Sequence, residues 1–318
     1  MTKTAGIQAG DSVQRFYFSE FALRGAIVRL DNSFVEALNG RDYPAPMQAL
    51  VGEALAAAVL MGSNFKHAAR LSLQARGNGP LGMLMAESSC EKSTAGDAHS
   101  AQKVRALARF DTQHEQAKNL QQHGASLAAL LADAQLAITV ESIKDSGTER
   151  YQGIVAVDAA TLSGCLEHYF DRSEQLPTTM VLAAGPQCAA GLMVQKIPDS
   201  DSADGVHAVR SNDWREIEML ARSISPQELL GLAPEQVLHR LFHQHSCRVA
   251  QAQPVVFSCT CSAERTGQAL MQIDPREISS ILSEDGEIVM DCEFCSARYR
   301  FDHASIERLN ASHNATRH

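Results

Sequence analysis

Apolar positions along this chain alternate between a period of two and a period near 3.6, and the changes of rhythm mark out its elements. Phe16-Tyr17-Phe18 and Ala26-Ile27-Val28-Arg29-Leu30 read as strands. Tyr43-Pro44-Ala45-Pro46 stops the chain, and Leu50, Val51, Leu55 and Val59 then recur at helical spacing, predicting a helix over 47–61. Residues 71–76 and 81–87 read as two strands joined by Gly77-Asn78-Gly79-Pro80, a hairpin signal. The small and polar stretch 91–103 reads as a solvated loop. Beyond it, 104–109 alternates like a strand, 126–134 suggests a helix, and 136–143 with 151–157 suggests a strand pair. A helix over 159–170 and strands over 180–184 and 192–197 complete the first part.

Pro198-Asp199-Ser200-Asp201-Ser202-Ala203-Asp204-Gly205 breaks this pattern. Three short helical stretches follow, over 213–224, over 226–232 and from about Pro234. The second opens on Ser225-Pro226-Gln227-Glu228, a capping box with proline at the first helical position. The third carries Val237, Leu238, Leu241 and Phe242 on one face. Helices this short are marginal alone in water, so docking has to stabilise them. The pattern therefore predicts an α+β fold in three parts. Residues 1–198 form a mixed α/β domain with a sheet and packed helices, 199–254 a helical linker region, and 255–318 a small cysteine-bearing domain. A module of that last size often needs a metal or another staple.

Composition narrows the function classes. Hydrophobic residues at 45% and charged residues at 20% are an ordinary globular balance. The net charge of −9, with no run of Lys and Arg, argues against a nucleic-acid partner. The N-terminus lacks a signal-peptide core, and the longest apolar stretch, Ala54 to Met61, is too short to span a bilayer. The expectation is a cytoplasmic protein with no membrane partner. In a reducing cytosol, paired cysteines point to metal or redox chemistry more than to structural disulfides.

Eight cysteines are present, and four of them are paired by spacing. Cys259-Thr260-Cys261 is separated by thirty residues from Cys292-Glu293-Phe294-Cys295. Zinc(II) takes four tetrahedral ligands, and two short cysteine pairs can close that tetrahedron with no position left for water. Such a site is structural in the Lewis-acid sense. Its thiolates are also what oxidants attack, and a module folded by its metal unfolds when the metal leaves. Spacing alone leaves a purely structural site and a redox switch both open.

Other motifs carry less. Gly77-Asn78-Gly79-Pro80-Leu81-Gly82 matches a dinucleotide fingerprint, but a strand follows it where that fingerprint needs a helix, so it reads as a turn. His239 and His243 lie four apart on a helix without the glutamate of a zinc protease. Cys90, Cys165, Cys188 and Cys247 have no paired spacing, and most of them read as buried, unreactive thiols. No recognisable catalytic constellation is present, and the chain reads as a non-enzyme. Two other classes stay open at this point: a constitutive zinc ribbon that binds nucleic acid, and an enzyme whose site assembles from distant residues. The excess of acidic over basic residues between Cys261 and Cys292 weighs against the first.

Taken together, several of these segments resemble one family, the 33-kDa heat-shock proteins, which are redox-regulated holdase chaperones. The resemblance rests on Tyr43-Pro44-Ala45-Pro46, Gly52-Glu53-Ala54-Leu55, Gly77-Asn78-Gly79-Pro80-Leu81 and Ser173-Glu174-Gln175-Leu176-Pro177-Thr178. It rests further on His239-Arg240-Leu241-Phe242-His243, Cys259-Thr260-Cys261-Ser262, Glu284-Asp285-Gly286-Glu287-Ile288 and Cys292-Glu293-Phe294-Cys295. It implies one zinc(II) per reduced chain, held by Cys259, Cys261, Cys292 and Cys295. It implies that oxidation forms disulfides Cys259–Cys261 and Cys292–Cys295, releases zinc and unfolds the linker. The protein then dimerises and binds unfolded clients without ATP. Two features depart from the pattern: additions at the N-terminus and over 91–103, and an extra thiol, Cys247, twelve positions before Cys259.

Overall fold

The computed structural model describes residues 10–65, 67–91, 100–114, 127–144, 147–198 and 209–315. The chain divides into two compact units, residues 1–258 and 259–318. In chain order the first unit begins β1 (Ser12–Phe18), β2 (Leu23–Leu30), α1 (Asn32–Leu38), α2 (Ala45–Gly62), β3 (Ala69–Arg76) and β4 (Leu81–Cys90). It continues with β5 (Gln102–Phe110), α3 (Leu127–Leu131), β6 (Gln135–Lys144), β7 (Gly147–Ala156), α4 (Leu162–Tyr169), β8 (Thr178–Ala184) and β9 (Ala189–Lys196). It closes with α5 (Ser211–Arg222), α6 (Pro226–Gly231), α7 (Pro234–Phe242), β10 (Cys247–Val249) and β11 (Gln253–Phe257).

The α+β class and most of the expected elements are present. The helix expected over 126–134 is a single turn and a half, α3, and Ser126 lies outside the described residues. Gln102 and Lys103 belong to β5 instead of the expected loop, whose residues 92–99 lie outside the described part, as does the break over 199–205. Helix α1 and strands β10 and β11 had no counterpart in the pattern, because each is short and reads as polar or mixed in isolation.

One sheet organises the unit, with strand order β7-β6-β3-β4-β5-β11-β1-β2-β9-β8 and β10 beside β1. Helix α2 lies across it. Its apolar residues run around the whole helix, so it is a core helix rather than an amphipathic one, and Pro46 in its first turn presets its start. Among the described residues it is the one helix long and apolar enough to cross a membrane, yet 72% of it is buried inside the fold. Around it gather Val28, Leu30, Leu71, Leu73, Leu136 and Met193 from both ends of the sheet.

Among the described residues, helices cover the second face of the sheet only at one end. There Phe16, Phe18, Leu23, Ile27, Leu192 and Val194 alternate with residues facing α2 and pack instead on α5, α6 and α7. Strands β2 and β9 are therefore buried on both faces, whereas β1 leaves Arg15 and Tyr17 exposed on the face opposite Phe16 and Phe18. The helices of residues 211–242, within the expected linker region, are docked here, whereas β11, which straddles the expected boundary at 254, lies in the sheet itself. The helices carry the expected signals: the Ser225 Oγ accepts from the Glu228 N–H at 3.3 Å while the Glu228 carboxylate accepts from the Ser225 N–H at 3.0 Å. Arg29 anchors the seam by donating to the Leu230 carbonyl.

The second unit holds α8 (Ala263–Leu270), α9 (Pro275–Asp285), β12 (Glu287–Asp291), β13 (Arg298–Asp302) and α10 (His303–Ala315). Strands β12 and β13 form an antiparallel pair. Gly286, at φ +77°, makes the left-handed turn that ends α9 and starts β12. Its core is Leu270, Ile278, Leu282, Ile288, Phe301 and Ile306. Six buried side chains among the described residues are few for a free-standing domain, and a further constraint is expected.

Candidate metal centre

The cysteine cluster is the candidate for that constraint. Cys292 and Cys295 sit in the turn between β12 and β13. The Cys292 N–H donates to the Ala297 carbonyl and the Ser296 N–H to the Cys292 carbonyl, both at 2.8 Å. Ser296 takes a left-handed φ of +58°, which curls the turn so that both sulfurs face one side. The bidentate pair from Arg298 to Asp291, at 2.8 and 3.0 Å, closes the strands just beneath.

Cys259 and Cys261 precede α8, whose first turn is capped by the Ser262 hydroxyl accepting from the Arg265 N–H at 3.2 Å. The Arg265 side chain reaches back to donate to the Thr260 carbonyl at 2.8 Å. Cap and guanidinium thus fix the Cys-Thr-Cys backbone from its C-terminal side.

All four sulfurs lie within 4.8 Å of one another. Cys259 and Cys292 approach to 3.6 Å, and Cys261 and Cys295 to 3.4 Å. A tetrahedron of zinc–sulfur bonds of ~2.3 Å has sulfur–sulfur edges of about 3.8 Å, so the donor set fits one metal ion of that size. All eight cysteines are unbridged, and the four of the cluster are half-buried. The Tyr299 hydroxyl on β13 donates to the Cys261 sulfur at 3.0 Å. Partial burial by itself would push the Cys261 thiol up, but that hydrogen bond and those from the three neighbouring thiols outweigh it and bring it down to about 7. Burial pushes Cys259 up, and it carries Cys295 up to about 12. Thiols crowded without a cation compete for one proton inventory, whereas a divalent cation stabilises all four as thiolates.

Among the described residues this is the one place where three or more metal-capable side chains converge. His239 and His243 stack on α7 with ring centroids 5.9 Å apart and stay exposed, with no third ligand beside them. The glycine motif is a turn, as its following strand requires. A Cβ on Gly77 would lie 1.8 Å from the Leu131 carbonyl oxygen and one on Gly79 2.3 Å from that of Leu130, so close backbone packing accounts for both glycines.

Three of the unpaired thiols, Cys165, Cys188 and Cys247, are held protonated by burial. Cys165 is fully buried, and its burial pushes it up. Burial takes both Cys188 and Cys247 up to about 11. Cys247 packs at the edge of the cluster under α5–α7 and pairs with Phe18 on β1. Tyr299 and Arg265 escape a reading of the sequence, because a tyrosine and an arginine near cysteines carry no spacing signal.

Comparison with known proteins agrees with this geometry. A family model described as Hsp33 protein matches residues 11–302. The chain is 39% identical over 302 residues to a 33 kDa chaperonin of Ectopseudomonas mendocina, covering 95% of each chain. It is 36% identical over 299 residues to a 33 kDa chaperonin of Shewanella woodyi, covering 94% of this chain and 95% of the other. Its fold matches the crystal structure of the 33 kDa chaperonin of Thermotoga maritima with a TM-score of 0.73 over 95% of this chain and 99% of that one, at 20% identity.

Proposed function

The chain belongs to the Hsp33 family of chaperones, and from that membership we propose that it is a non-enzymatic, redox-activated holdase switched at Cys259, Cys261, Cys292 and Cys295. In this reading residues 1–198 are the chaperone core, 199–254 the metastable linker and 255–318 the switch domain. The observation that carries the reading is the convergence of four sulfurs within 4.8 Å in a unit whose core has only six buried side chains among the described residues. Zinc bound there would hold the sulfurs as thiolates and supply much of the folding free energy of the unit.

Oxidation works through the cysteines themselves. One thiolate attacks a peroxide oxygen, the O–O bond breaks, hydroxide leaves, and the sulfur becomes a sulfenic acid. A neighbouring thiolate attacks that sulfur and expels a second hydroxide. Each disulfide thus consumes one peroxide and two protons and yields two waters. Two disulfides leave no thiolate to ligate the metal, and the unit loses its staple. The linker helices, short and dependent on docking, follow. Apolar surface then binds unfolding proteins in the cytoplasm, with a homodimer as the active form.

The test is to treat zinc-loaded protein with peroxide at elevated temperature and follow three quantities together: zinc release, thiol loss and suppression of aggregation of a denatured client. All three rise in step if the reading holds. Zinc retained after thiol loss, or released with no gain in client protection, refutes it. Peptide mapping of the product tests the pairing. The reading expects Cys259–Cys261 and Cys292–Cys295, although the sulfur contacts of 3.6 and 3.4 Å run across the two motifs.

A further inference from the structure

We propose that β11 is a removable keystone of the sheet, and that the slot it vacates between β1 and β5 takes an extended apolar segment of a client protein as a replacement strand. The inference rests on the holdase reading above and names the chemistry of one client site within it.

Strand β11 is the sole ladder joining the two ends of the sheet among the described residues. On one side it pairs parallel with β5, Val255 opposite Gln102 and Phe257 opposite Val104. On the other it pairs antiparallel with β1 through Pro254 and Gln253. The Val255 N–H donates to the Asp11 carbonyl at 2.8 Å, and the Ser258 N–H to the Val104 carbonyl at 3.0 Å. The strand has five residues, one of them a proline that cannot donate to a ladder. Phe257 stands two positions before Cys259, so the strand's C-terminal end is continuous with the segment the cysteines hold. Among the described residues beyond 198, β10 pairs with β1 alone, and β11 is the one strand with a partner on each side.

Both walls of the slot are pinned without β11. The Asp11 carboxylate, at the head of β1, accepts from the N–H groups of Asp31, Asn32 and Ser33. Gln102, at the head of β5, donates to the Val59 carbonyl of α2 at 3.0 Å and to the Ser88 hydroxyl at 2.7 Å. Helix α2 packs on strands at both ends of the sheet. Loss of β11 therefore leaves a gap of two strand spacings, roughly 9–10 Å between its walls, instead of letting the sheet come apart. Such a gap exposes unpaired backbone groups on both sides, a template for a new strand.

The departing strand defines its replacement. Val255 is buried in the core and Phe257 packs against it, whereas Val256 points outward. The slot therefore selects an extended segment with apolar side chains at alternate positions, a pattern buried in native proteins and exposed in unfolding ones. The permanent edge at β7 is different, since it presents Glu149 and Arg150.

The probe is a fluorescent, photo-crosslinkable peptide with the sequence of residues 251–258, added to the full-length protein. Peroxide-oxidised, zinc-released protein is expected to bind it at least roughly tenfold tighter than the reduced, zinc-loaded form. The crosslinks are expected on Ser12–Val13 and Gln102–Val104. The same peptide carrying Val255→Asp does not bind, and saturating peptide lowers client protection. The reduced, zinc-loaded protein carrying Val255→Asp is expected to bind the wild-type peptide as the oxidised protein does. If that variant does not fold, the comparison of oxidised with reduced wild type decides alone.

Equal binding to both forms, crosslinks elsewhere, or undiminished client protection at saturation overturns the slot. So does a concentration-dependent dimer that excludes the peptide, since a second copy's strand would then be the occupant. Client protection is read in the same samples without peptide. Its absence there refutes the holdase reading, and its presence without slot binding refutes this inference alone.

Discussion

Phe242→Ala separates docking of the linker helices from the chemistry of the cysteines. Phe242 ends α7 and is 1% exposed. Its ring centroid lies 5.9 Å from that of Phe16 and 5.2 Å from that of Phe18, the latter edge-on. Truncating a buried phenylalanine to alanine costs about 3–5 kcal/mol through lost burial and the cavity left behind. If α5–α7 dock as one unit, that loss shifts their docking equilibrium by roughly 10²–10³-fold or more. Nothing in the substitution touches Cys259, Cys261, Cys292 or Cys295. Amide hydrogen exchange in the reduced, zinc-loaded variant is therefore expected to lose protection across α5–α7 by that factor, while α2 stays protected and zinc stoichiometry is unchanged. Aggregation of a denatured client is then partly suppressed without oxidation. Met219→Ala, on the same helical layer but 68% exposed, is the control and changes neither readout. Unchanged protection would refute the packing argument. Lost protection with no client binding above the wild-type baseline would refute the link between docking and activity.

Other outcomes follow from single residues. Cys292→Ser replaces a thiolate ligand by a neutral hydroxyl and is expected to weaken zinc binding by roughly 100-fold or more in chelator competition and to raise basal activity; a wild-type titration would remove Cys292 from the ligand set. Burial pushes the Glu53 carboxyl on α2 from an ordinary 4.5 up to about 7. Between those two values the folded chain keeps a proton that the unfolded chain has lost, so stability falls as pH rises across the window. The ceiling is about 3 kcal/mol. Glu53→Gln, compared with wild type in urea titrations at pH 5 and pH 8, should flatten that dependence and gain most at pH 8; equal slopes for the two proteins would contradict it.

The sequence was most legible where a single rhythm ran long enough to be unambiguous. The apolar run of α2, the β3–β4 hairpin and the capping box at Ser225 all show their physics within a few residues. The cysteine pairs were legible for the same reason, since ligand geometry imposes short spacing on each half of the site. What stayed hidden is what depends on partners far along the chain. Strand β11 is five residues around a proline and becomes a strand only because β1 and β5 stand ready on either side. Tyr299 reaches Cys261 only because β13 folds back on β12. That the helices of residues 211–242 must dock was legible, but the surface they dock on was not, because an amphipathic helix shows that it has an apolar face without showing what covers it.

The two faces of the sheet then limit where apolar surface can come from in the proposed activation. The face against α2 is bound into the main core from both ends of the sheet, and exposing it would mean unfolding the unit. Among the described residues, the opposite face of the β3–β6 end is largely polar, with Arg70, Gln74 and Glu141 along it and Glu87 paired to Arg105, and its apolar Met83 and Leu107 are already covered. Only the β1–β2–β9 end has an apolar face covered by short, separable helices. Undocking α5–α7 would bare Phe16, Phe18, Leu23, Ile27, Leu192 and Val194 together, on the order of several hundred Å², as large as the most apolar patches that monomers display. The slot left by β11 borders that face, since β1 is one of its walls. A client segment entering the slot could therefore lay its neighbouring residues on the bared face. Backbone pairing and apolar contact would then act on the same chain, and the affinity of each would raise the effective concentration of the other.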